Sequence, residues 1–135
     1  MITNVPFIVV SAMRLTNNDV DNMAAHSRLI KEMRRNCILY KEVIGVYDEI
    51  EEFSVLIPLN YPLTESLGME LARKYEQDCY LLVDANGLGC LRSKYSPENP
   101  LYTSEELGKI QVSRDEPEVD YTKILTNTGS LYFSF

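Results

Sequence analysis

The 135-residue chain has no tryptophan, one histidine, three cysteines and six glycines. A lone His26 rules out a histidine-rich metal cluster. It also leaves little room for Ser-His or Cys-His nucleophilic chemistry, in which an imidazole must activate the attacking group. The cysteines, Cys37, Cys79 and Cys90, are odd in number and widely spaced, with no C-x-x-C between them. Such spacing points to buried thiols in a reducing compartment, not to a disulfide framework or a zinc site. Gly87-x-Gly89 lacks the third glycine and the strand-to-helix setting of a dinucleotide fingerprint. Long apolar runs are missing as well. The longest, Val5 to Met13, is broken by Pro6 and Ser11 and falls far short of the roughly 20 residues of a membrane span. No Lys or Arg precedes it and no small-residue cleavage site follows it, so a signal peptide is not expected and the chain is read as cytoplasmic. Positive charge is scarce too. Thirteen Lys and Arg against twenty Asp and Glu give a net charge of −7, which argues against nucleic-acid binding as the main role. Arg28, Lys31, Arg34 and Arg35 do cluster, but on one expected helix, where a solvated face explains them better than a nucleic-acid patch.

What is present is the mixture of a single globular domain: 45% hydrophobic and 24% charged residues, enough for one ordinary core. Phe7 to Val10 reads as a buried central strand. Thr16 to Asp19 is rich in helix-capping residues, and Val20, Met23, Ala24, Ser27, Ile30 and Met33 recur at helical spacing behind it. A strand is expected over Ile38 to Val46 and another over Phe53 to Leu59, with an acidic connection between them. Leu63, Leu67, Leu71 and Tyr75 predict a second amphipathic helix over 63–75. Cys79 to Val83 reads as a further strand, and Asn86-Gly87 signals a hairpin into a return strand near Cys90-Leu91. The order β-α-β-β-α-β plus an appended strand predicts an α+β, ferredoxin-like antiparallel sheet with both helices on one face. Residues 1–93 form the expected domain, and 94–135, rich in proline and acids, an arm that is partly irregular. Leu131, Phe133 and Phe135 alternate as a strand would, so the terminus is expected to dock on a sheet edge or a neighbouring subunit.

Without a metal cluster, phosphate loop or histidine pair, the reactive groups left are carboxylates, tyrosines and hydroxyls. On pattern alone, the acids between Tyr47 and Phe53 form a charged turn and Glu76-Gln77-Asp78 a polar connection.

The run Phe7-Ile8-Val9-Val10-Ser11-Ala12-Met13-Arg14, followed by Asn22-Met23 and His26, resembles the N-terminal part of the bacteriophage S-adenosylmethionine (SAM) lyases, long called SAM hydrolases. Gly45-Val46-Tyr47-Asp48-Glu49 is similar to their Gly-x-Tyr-x-Glu. The Glu51-Glu52 pair before a strand, and Glu76-Gln77-Asp78-Cys79 before an apolar strand, complete an ordered set spanning about residues 7 to 92. The segment from Tyr47 to Glu52 is shorter than in the relatives, which leaves Glu49, Glu51 and Glu52 open as the essential acid. No motif of the set falls after residue 93.

The resemblance implies a metal-independent enzyme without a cofactor, whose substrate SAM is cut to 5′-methylthioadenosine and L-homoserine lactone. It implies Glu52, with Glu51 as the second choice, on the substrate's α-ammonium, and Tyr47 near the sulfonium. Ser11, Ala12, Arg14, Glu49, Glu76 and Gln77 would bind the rest of the substrate. It further implies a homotrimer with sites between subunits, acting in the host cytoplasm, with no nucleic acid or membrane as partner, to deplete SAM and counter restriction. A non-catalytic trimeric module holding an adenosyl ligand, or an inhibitor acting by protein contact, are the alternatives.

Overall fold

The run Phe7-Ile-Val-Val-Ser11 forms β1 at the centre of the sheet, where β-branched side chains fill both faces (β1, Phe7–Ser11). The computed structural model describes residues 5–60, 62–93, 104–118 and 120–135. Along the chain, β1 is followed by α1 (Asp19–Arg35), β2 (Lys41–Tyr47), β3 (Ile50–Pro58), α2 (Ser66–Lys74), β4 (Cys79–Val83) and β5 (Leu88–Ser93). Then come β6 (Ser104–Lys109), β7 (Gln111–Ser113), β8 (Tyr121–Thr126) and β9 (Gly129–Ser134). The architecture is α+β, an antiparallel sheet carrying two helices.

Helix α1 begins where the sequence signals it. The Asn18 side chain accepts from the Asp21 N–H, Asp19 and Asp21 occupy the first turn, and Arg34 and Arg35 the last, all favourable to the helix dipole. Its buried stripe is Ala25, His26, Leu29, Ile30 and Met33. The expected apolar face was rotated too far: Val20 and Met23 are exposed, because the stripe runs through His26, which periodicity alone reads as polar. Helix α2 is shorter than expected, with Leu63 and Tyr75 packing from its flanks. Each helix ends on a residue with a left-handed backbone, Cys37 (φ 55) and Glu76 (φ 55). The carbonyls of Met33 and Ala72 accept from the N–H groups of Ile38 (2.9 Å) and Gln77 (2.7 Å), closing both ends.

The sheet differs from the small one expected. It holds nine strands in the order β6-β5-β4-β1-β3-β2-β8-β9-β7. Strand β1 lies antiparallel between β3 and β4, and β2 between β3 and β8. The two end strands, β6 and β7, are separated in sequence by Ile110 alone. One bent segment therefore serves both edges, and the sheet curls nearly into a barrel. Ile110 is buried, and its N–H donates to the Gly87 carbonyl at 2.8 Å.

Two cores follow from the two faces. Outside the barrel, Ile8, Val10, Val55, Ile57 and Leu82 pack against Leu29, Met33, Leu71 and Ala72 of the helices. Inside it, Phe7, Val43, Leu56, Leu81, Val83, Ile110, Ile124 and Phe133 pack together, with the Phe7 and Phe133 rings edge to face at 5.8 Å. Burying each such side chain is worth about 1.5–3 kcal/mol. The stretch read as an irregular arm thus contributes four strands and part of a core. Residues 94–103 lie outside the described residues. No helix among the described residues is long and apolar enough to cross a membrane.

Candidate functional site

At one end of the barrel, β1 and β2 finish while β3 and β4 start, so four strand ends converge. Alternation along each strand turns Ser11, Tyr47, Glu52, Ser54 and Cys79 toward a shared hollow of about 520 Å³. Ser11 pairs with Ser54 across β1–β3, and Gly45 with Glu52 across β2–β3. Met13, Arg14, Glu76, Gln77 and Asp78 complete the rim.

The acidic segment between β2 and β3 is not a charged connection. Only Asp48 and Glu49 form the turn, both at positive φ (50 and 66), the twist a two-residue hairpin requires. The usual Asn-Gly is absent, which hides the turn in the sequence. Glu51 and Glu52 therefore belong to β3 and face opposite ways. Glu52 lines the hollow, whereas Glu51 is exposed on the other side, where its charge acts on Tyr121. Glu49 sits in the exposed turn, away from the hollow.

Burial raises the Glu52 carboxyl above the ordinary glutamate range, with hydrogen bonding from Ser11 pulling the other way. Tyr47 folds back over Gly45, where a Cβ would come within 2.8 Å of its ring. Tyr47 keeps 46% exposure, yet burial raises its pKa. A hydrogen bond with Thr122 opposes that rise, and the charges of Glu52 and Asp120 add to it. The Cys79 thiol is pushed up by burial, then by Asp78, Glu52 and Glu105. Negative charge converges here, which favours a cationic ligand.

The loop after β1 is tied down on all sides. The Ser11 hydroxyl donates to the Phe53 carbonyl (3.0 Å) and accepts from the Met13 N–H (2.9 Å). The Gln77 amide donates to the carbonyls of Met13 (2.9 Å) and Tyr75 (3.2 Å), leaving its oxygen for other use. Asn22 grips the Arg14 backbone, accepting from its N–H at 2.8 Å and donating to its carbonyl at 2.9 Å. The Arg14 guanidinium meets Glu76 at 2.6 Å. The non-glycine left-handed backbone at Glu76 is strain located at the rim.

Of the residues singled out from sequence, Ser11, Arg14, Tyr47, Glu52, Glu76 and Gln77 are brought together. Ala12 is not: it points into the outer core at 2% exposure, because alternation reverses its direction relative to Ser11. Glu49 and Glu51 stay outside for the reasons given. His26 lies on the helix face, bound to Glu42 at 2.9 Å and beside the Phe53 ring, with its Nδ1 buried and unpartnered among the described residues. Ser54, Asp78 and Thr122 were missed. Ser54 and Thr122 do carry a signal, as hydroxyls at strand positions that alternate in step with the inner-core residues Leu56 and Ile124. Among the described residues no three His, Cys, Asp or Glu side chains gather to hold a metal ion.

A sequence model described as the S-Adenosylmethionine lyase family matches residues 8–134. No curated protein matches the chain.

Proposed function

The chain belongs to the S-adenosylmethionine lyase family, and from that premise we propose that it cleaves SAM in the acidic hollow, yielding 5′-methylthioadenosine and L-homoserine lactone. The observation that carries this reading is the inward-facing Glu52 among Ser11, Tyr47 and Gln77.

SAM is a sulfonium, so its γ-carbon already bears a good neutral leaving group. One oxygen of the substrate's own carboxylate attacks that carbon, and the carbon–sulfur bond breaks. The bonding pair goes to sulfur, which leaves as the thioether of methylthioadenosine, and the five-membered lactone remains. No external nucleophile, water or metal takes part in this step. The enzyme's task is to fold the methionine chain until oxygen and carbon are about 3–3.5 Å apart. Glu52 grips the α-ammonium, which fixes the chain while leaving the carboxylate free to attack. The Tyr47 ring offers its face to the sulfonium. Ser11, tied to the Phe53 carbonyl, braces the backbone beside Glu52, and Glu76 with the free oxygen of Gln77 takes the ribose or adenine.

A hollow of about 520 Å³ lies within the usual size of small-molecule sites. Its mouth is open, however, and Leu15 on its rim is 81% exposed. A homotrimer with each site closed by a neighbouring subunit supports water exclusion and covers such apolar rim residues. The inner order β4-β1-β3-β2 with two helices on one face supports a ferredoxin-like core, enlarged by β5 to β9. Depletion of SAM in a host cytoplasm would starve SAM-dependent restriction and methylation.

The test is incubation of the purified chain with SAM and identification of both products by mass spectrometry. Methylthioadenosine with homoserine lactone supports the reading; absence of turnover at high enzyme concentration contradicts it.

A further inference from the structure

Behind the Arg14–Glu76 ion pair lies a second hollow of about 480 Å³, between α1 and the end of α2. Its walls carry Arg28, Lys31 and Arg35 from one face of α1, three and four residues apart, and Lys74 from α2. In a chain of net charge −7, so many cations in one depression run against the average surface. The hollow's two acids are already committed. Glu32 accepts from Lys74 and from the Tyr75 hydroxyl, both at 2.8 Å, and Glu76 is held by Arg14. Arg28, Lys31 and Arg35 make no ion pair among the described residues. Arg28 and Arg35 line the hollow together with Tyr75. Ala12 and Ala25, with no bulk beyond Cβ, leave the floor open.

We propose that this hollow binds a small oligophosphate anion, either free or as the phosphate tail of a nucleotide. Two guanidinium forks and an ammonium without protein partners match several phosphate oxygens at once, and charge-assisted bonds of this kind are the strong ones. A lone phosphate would leave part of the set unpaired. An extended nucleic acid fits poorly, because the depression is bounded and the chain as a whole is acidic. The hollow shares Arg14 and Glu76 with the SAM site, but Arg28, Lys31 and Arg35 do not line that site, and anion occupancy is measured without SAM.

Isothermal titration of the full chain at low ionic strength with tripolyphosphate, ATP and adenosine tests the proposal. Tripolyphosphate and ATP should bind, and the Arg28→Gln/Lys31→Gln double variant should weaken both by about tenfold or more. Turnover of SAM in the absence of anion should be unchanged in that variant. Both positions are exposed and glutamine is a good helix former, so the fold should persist. Arg35→Gln provides an independent second variant. ATP tighter than tripolyphosphate identifies a nucleotide, and equal affinity identifies the free oligophosphate; either upholds the site. Absence of tripolyphosphate binding, binding undiminished in both variants, or ATP binding matched by adenosine alone would overturn it.

Discussion

Glu51 and Glu52 are neighbours in sequence but lie on opposite faces of β3, so that only Glu52 reaches the hollow at the barrel mouth. Replacing the two separately distinguishes them. Glu52→Gln should lower kcat/KM for SAM by about 10- to 100-fold, the loss of a charged hydrogen bond to the ammonium. Glu51→Gln should stay near wild type. Steady-state kinetics on the two variants checks this, and equal losses would count against the assignment.

Because burial raises the Glu52 carboxyl, it takes up a proton at higher pH than an ordinary glutamate. Turnover should therefore fall on acidification before free glutamates titrate. Stability moves the other way. The native state holds this proton more tightly than the unfolded chain, so the contribution is full below the unfolded pKa and is lost as pH rises through the folded one. Denaturant titrations should show Glu52→Gln more stable than wild type at neutral pH, with the difference closing as pH falls toward the unfolded value.

The turn at Asp48 and Glu49 holds two non-glycine residues at positive φ. Asp48→Asn with Glu49→Gly supplies the residues this turn prefers and should stabilise the chain by about 1 kcal/mol. Turnover should be unaffected, since neither side chain lines the hollow. A rise in melting temperature with unchanged kinetics is the expected pair of readings.

Phe133 fills the barrel opposite Phe7, at 1% exposure. Phe133→Ala should cost about 3–5 kcal/mol in chemical denaturation. A chain ending at residue 93 should fail to fold, because β2 would lose β8 and the inner core would lose Ile110, Ile124 and Phe133. A folded 1–93 fragment would instead support an independent domain.

Much of this was legible in the sequence where local chemistry and tertiary burial agree. The β-branched run at Phe7 to Val10, the Asn18 cap and the Asn86-Gly87 turn all announce their elements. Of the strands after residue 103 only β9 was legible, from the alternation of Leu131, Phe133 and Phe135; β6 to β8 were not. Ser104 to Lys109 is almost wholly exposed and shows no alternation, since its pairing is set by β5 and by the bend at Ile110. In the site, Ser11, Tyr47 and Glu52 could be named from motifs. The direction of each side chain could not, since that depends on register. The hairpin turn concealed in Asp48-Glu49 fixes Glu52 inward, and alternation sends Ala12 away from Ser11.

The central claim is that the substrate's own carboxylate, and not water, displaces the thioether. Running the reaction in H₂¹⁸O tests it most directly. The account predicts lactone free of the heavy isotope, with any label in later homoserine confined to its carboxylate. Homoserine carrying ¹⁸O in its γ-hydroxyl would show attack by water and contradict the account.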